Sequence, residues 1–157
     1  GTTRPFEDVE VRARVAGFLQ SMHFTSGTRV EKGALLFEID PKEYQAELHA
    51  SQAELTSANA QLKRAQTELN RSETLFKQKA KAEKDVVKWI GERDMARAAV
   101  LRAKAQVEKA QLNLGYTKVT APISGRISRN YVDVGNLVGE GESTLLTKVT
   151  RFDQMYV

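Results

Sequence analysis

An α+β fold is predicted, in which two short β blocks flank a long antiparallel coiled-coil α-hairpin. Three observations lead to it. A glycine-punctuated β motif occurs twice, 108 residues apart. A seven-residue alternation of large and small side chains fills the stretch between the copies. The composition suits long helices better than a thick globular core: 41% of the 157 residues are apolar but only 7% are aromatic.

The first β block covers 9–40. Val9, Val11, Ala13 and Val15 alternate with polar residues, the period of a half-buried strand. Gly17, Gly27 and Gly33 mark turns between short strands.

The hairpin covers 41–115. It has no Pro after Pro41, and Gly91 is its only glycine before Gly115. Leu48, Leu55, Leu62, Leu69 and Phe76 recur every seven residues, and Ser51, Ala58, Ala65 and Ser72 follow the first four at +3. In the second arm Val86, Val100, Val107 and Leu114 keep the register, with Arg93 as a polar interruption and Trp89, Ala96, Ala103 and Ala110 at +3. Large-then-small seams on both arms read as two helices that approach closely and run antiparallel. The polar stretch between the arms puts the tip at about 77–83. A dimeric coiled coil with a broken helix is the alternative. Asp40 suits the N-cap, Pro41 the first helical turn and Gly115 the C-terminal cap.

The second β block covers 116–150. Shifting the first block by 108 places Gly17, Gly27 and Gly33 on Gly125, Gly135 and Gly141, and Val11, Ala13 and Val30 on Val119, Ala121 and Val138. A copy of about 30 residues is too short to bury a core alone. The copies therefore pack on each other, with Tyr44 and Tyr116 near the two feet of the hairpin.

Several function classes are excluded on composition. The chain has no cysteine, so disulfides, thiolate zinc sites and a Cys nucleophile are ruled out. No stretch approaches the roughly 18 uncharged apolar residues that span a bilayer. His23 and His49 lack metal-ligand spacing, and GEGEST at 139–144 lacks the Lys-Ser/Thr ending of a phosphate loop. No set of nucleophile, base and orienting residue can be named, so no enzyme activity is expected.

The segments VEVRARVAGFL (9–19), GTRVEKGALLFEIDPKEYQAEL (27–48), LNLGYTKVTAPISGRISR (112–129) and GNLVGEGESTLLTKV (135–149) resemble the periplasmic adaptors, or membrane-fusion proteins, of the HlyD superfamily. The likeness is greatest to the AcrA/MexA-type adaptors of resistance-nodulation-division (RND) efflux pumps. It implies a lipoyl- or biotinyl-like β-sandwich split by the hairpin. It also implies a periplasmic location, an inner-membrane anchor outside this soluble segment, and stubs at 1–8 and 151–157 leading to a β-barrel domain. Implied partners are an inner-membrane RND-type transporter, a TolC-type outer-membrane channel and further copies of the chain. Adaptors of type I protein secretion share this architecture, and a self-associating coiled-coil protein is the alternative of another class. No cofactor is implied: where lipoyl carriers hold a modified Lys in a tight turn, this chain has the hairpin, and Lys42 sits at a helix start.

In the family, an Arg, a Leu four residues on and a Ser seven beyond mark the channel-docking tip. Arg71 and Leu75 match, and Ala82 stands where the Ser would be. Lys77, Lys79, Lys81, Lys84 and Lys88 surround this set against Glu83 and Asp85, a local balance of five minus two, or +3. That cluster is either a solvated turn or a patch that steers an acidic partner rim. Nucleic acid is not expected, because no aromatic residues are interleaved to stack on bases.

Overall fold

The computed structural model describes residues 7–79 and 83–151. The chain divides into two compact units. One joins the residues up to Glu43 with those from Leu112 onward, and the other is Tyr44–Gln111.

The first unit is a β-sandwich. Its strands in chain order are β1 (Glu7–Arg12), β2 (Gly17–Met22), β3 (Arg29–Val30), β4 (Leu35–Ile39), β5 (Lys118–Thr120), β6 (Gly125–Ile127), β7 (Leu137–Val138) and β8 (Leu145–Arg151). One sheet has the order β1-β8-β6-β3 and the other β5-β4-β2-β7. The 108-residue shift carries β1 onto β5, β2 onto β6 and β3 onto β7, and β4 corresponds to β8. The two sheets are thus copies of each other. In each, a central antiparallel strand pair of one half is flanked on either side by an outer strand of the other half. Neither half can complete a sheet alone, which answers the shortage of core in a 30-residue motif.

Reciprocal backbone bonds lock this exchange. Leu19 N–H donates to Asn136 O (2.8 Å), and its counterpart Ile127 N–H to Thr28 O (2.9 Å). Gly135 N–H donates to Leu19 O and Gly27 N–H to Ile127 O. Gly27 (φ +84°) and Gly135 (φ +97°) both hold the left-handed backbone that favours glycine. The inward residues interdigitate: Leu19, Leu36, Phe37 and Ile39 from the first half, and Ile127, Leu146 and Val149 from the second, are all buried. Phe24 meets Phe37 edge to face, with centroids 5.1 Å apart. Thr147, fully buried, donates its hydroxyl to Arg129 O at 2.9 Å. Among the described residues no buried side-chain N or O lacks a partner.

The second unit holds most of two long helices, α1 (Lys42–Lys77) and α2 (Glu83–Tyr116). At 1.5 Å per residue the 36 residues of α1 extend about 54 Å. Asp40 caps α1, accepting the Lys42 N–H at 3.1 Å, so Pro41 sits where its missing N–H costs nothing. The expected cap at Gly115 is corrected. Helix α2 runs through Gly115 to Tyr116, and the Thr117 hydroxyl closes the last turn on Leu114 O at 2.6 Å. A side-chain oxygen placed to take the orphan carbonyl makes a left-handed glycine unnecessary there.

The two helices pack antiparallel through the small positions. Ala65 and Ala96 line one shared groove, and Ala58 and Ala103 line the next. Ser51, Ala58, Ala65, Leu69 and Ser72 are the buried residues of α1, and Ala96, Val100 and Ala110 those of α2. Ser51 turns its hydroxyl back to Leu48 O (2.8 Å), so a polar residue serves as a small seam position.

Candidate functional site

Those candidate residues that the structure describes lie on the last turns of α1 and just beyond its end. Arg71 and Leu75 are one turn apart on one face of α1. The Arg71 side chain is 63% exposed, and its Nη1 donates to Glu68 Oε1 at 3.1 Å, a pair three residues apart. That contact holds the guanidinium on the helix surface while most of its donors face outward. Leu75 is half-buried, whereas Phe76, expected to continue the leucine series, is 44% exposed. The buried part of the seam in α1 therefore ends at Ser72, and two large apolar side chains stand at the helix end with surface to offer.

Lys77 closes α1 and suits the negative end of its dipole. Lys79 adopts φ +59° and donates its N–H to Phe76 O at 2.9 Å, so a non-glycine residue performs the left-handed stop. Lys81 and Ala82 lie outside the described residues. On the far side, Glu83 and Asp85 occupy the first turn of α2, where acidic groups complement the positive dipole end. Lys84 and Lys88 lie on the same helix, and Lys88 Nζ sits 5.1 Å from the Trp89 ring centroid. Trp89 is half-buried and lines a groove with Arg64 and Ala65, as a packing residue does.

The structure thus gathers Arg71, Leu75, Lys77 and Lys79 within two turns of one helix end. Phe76 belongs with them, and its exposure was masked in the sequence by its place in the sevenfold series. Among the described residues no group of three or more His, Cys, Asp or Glu could hold a metal ion. Among the same residues no helix is long and apolar enough to cross a membrane. The arrangement offers a cationic rim with forked donors and an apolar knob, which is the chemistry of protein docking.

Residues 7–150 match the family model described as the barrel-sandwich hybrid domain of the RND membrane-fusion proteins (RND MFP). The chain belongs to that family. The efflux pump periplasmic linker BepD of Brucella suis biovar 1 (strain 1330) is 46% identical over 153 residues, covering 97% of this chain and 38% of that protein. The multidrug efflux pump subunit AcrA of Escherichia coli (strain K12) is 38% identical over 157 residues, covering all of this chain and 40% of AcrA. Among solved structures, MacA from Actinobacillus actinomycetemcomitans superposes with a TM-score of 0.79 at 28% identity, over 92% of this chain and 50% of that one. The chain spans about two fifths of the length of the curated relatives it matches.

Proposed function

We propose that this chain is the β-sandwich and hairpin portion of a periplasmic adaptor in a tripartite efflux pump. The adaptor bridges an inner-membrane RND-type transporter and a TolC-type outer-membrane channel and has no catalytic role. In this reading the β domain comprises 9–40 with 116–150 and the hairpin 41–115, and flanking segments lead to a β-barrel and an inner-membrane anchor. Several copies assemble side by side, their hairpins form a tube, and the tips dock on the channel. Arg71 supplies forked hydrogen bonds to the channel rim, and Leu75 fills a groove between its helices. Lys77, Lys79 and Lys81 steer the approach. Ala82 replaces the family hydroxyl and leaves Arg71 to carry the polar contact. The transporter supplies the energy, and the adaptor supplies the route.

One observation carries this reading. Two interlocked β halves, split by a helical hairpin with an exposed Arg71 at its end, recur in a chain related along its length to named efflux linkers. The test is Arg71→Asp in the complete adaptor, read as drug susceptibility in cells that rely on this pump. The expected outcome is loss of resistance with an unchanged melting midpoint, because an exposed pair of this spacing contributes only about 0.2–0.5 kcal/mol to stability. Full resistance in the variant would refute tip docking through Arg71.

A further inference from the structure

The β unit carries a groove that the docking role does not use. It is lined by residues of the two outer strands β1 and β5 and of the end of α2. Its lining follows the internal repeat: under the 108-residue shift Glu10 corresponds to Lys118, Val11 to Val119, Arg12 to Thr120 and Arg14 to Pro122. The backbone is near-symmetric, but the charge is not. Three cations and one carboxylate line the groove, a local balance of +2.

These charges are already partly sorted. Arg12 is committed, with Nε on Glu10 Oε2 at 2.8 Å and Nη1 on Ser143 O at 2.7 Å. Glu10 is thereby neutralised. Arg14 has its guanidinium carbon 5.0 Å from the Tyr116 ring centroid, stacked on the aromatic and joined to no acidic group among the described residues. Lys118 likewise has no ion pair among them. Val11 and Val119 alternate with these charged residues and are buried toward the sandwich interior, and Tyr116, half-buried, also lines the groove.

The geometry points to a binding site for a small organic monoanion with a flat apolar body. Its carboxylate or sulfonate lies between Arg14 and Lys118, and its body lies against Tyr116. The groove, at about 370 Å³, falls at the lower end of the range for small-molecule sites. An aromatic ring beside cations that have no ion pair among the described residues favours such a ligand over bare phosphate, which would leave the ring wet. An added peptide strand fits less well. β5 offers only three residues, and Pro122 just beyond has no N–H to donate.

The test uses 2-naphthalenesulfonate as the probe, titrated into the isotope-labelled 157-residue chain and followed by NMR. Shifts concentrated at Val11, Val119 and Tyr116 are expected, with binding weakened about tenfold in Arg14→Glu and in Lys118→Glu, the loss of one charge-assisted contact. Both residues are exposed, and Arg14→Gln gives a milder variant should reversal disturb the fold. Neutral 2-naphthalenemethanol should fail to displace the probe. Equal affinity in the reversed variants would overturn the proposal. So would shifts confined to the exposed Phe18 and Leu137 pair, which would mark adventitious apolar adsorption, or inorganic phosphate binding as tightly as the probe.

Discussion

The β unit and the hairpin solve the burial problem in opposite ways. In the β unit almost every inward side chain is sealed: Leu36, Phe37, Ile39, Ile127, Leu146 and Val149 show no exposed surface. The seal comes from residues more than a hundred positions apart, since each sheet takes its outer strands from the other half. In the hairpin most buried residues are small, and large apolar side chains stay outside. Met95 and Leu101 are more than two-thirds exposed, and Val87 more than half. Two helices in contact share one seam, so each can hide only one stripe. The β unit seals an interior core, although Phe18, Val134 and Leu137 stay on its surface, and the hairpin has no interior beyond its seam. This contrast agrees with the docking role proposed for the hairpin, and the proposed small-molecule groove belongs to the β unit.

The contrast is broken most forcefully from the β side. Phe37→Ala removes a fully buried ring that also holds Phe24, and should destabilise the β unit by about 3–5 kcal/mol. Chemical denaturation followed by the methyl signals of Leu146 and Val149 checks this. In the hairpin the comparable change is Leu69→Ala, the one large aliphatic fully buried in α1. We expect a loss of about 2–3 kcal/mol, toward the low end for a buried Leu because small neighbours can close in. Amide exchange should quicken around 65–76 and 89–100 while β4 and β8 keep their protection. Equal acceleration in both units would show that they are not separate in stability. The smallest effect runs the other way. A Cβ at Gly91 meets nothing within 4 Å, so Gly91→Ala should raise hairpin stability by about 1 kcal/mol from helix propensity alone. Thermal melting at 222 nm measures it, and a fall in stability would mean that Gly91 serves a bend.

Much of this contrast is written in the residues. The sevenfold run from Leu48 to Leu69 with small residues at +3 predicts the seam, because helix periodicity is local and each turn repeats the same packing. The glycine triplet predicts matched turns, and Gly27 and Gly135 share their left-handed φ. The strand exchange was not legible. Alternation says which side of a strand is buried but not which strand lies beside it, so nothing in Arg29-Val30 announces β6 as its partner. The end of α2 was misjudged by one local competitor, the Thr117 hydroxyl. At the tip, the Arg71–Glu68 pair follows from their spacing on one helix face, but the left-handed Lys79 and the exposed Phe76 do not. The groove was missed because Arg14 and Tyr116 lie 102 positions apart and only the fold brings them together.

The most direct test of the account is a cross-link from the hairpin tip. The chain has no cysteine, so a single introduced thiol is unambiguous. Lys79→Cys at the tip and Lys104→Cys midway along α2 would each be placed in the complete adaptor, expressed with its TolC-type channel and treated with a short thiol-reactive photo-cross-linker. The account predicts an adduct detected by antibody to the channel from position 79 and none from position 104. An adduct from 104 alone, or none from 79 while the assembled pump still exports drug, would contradict it.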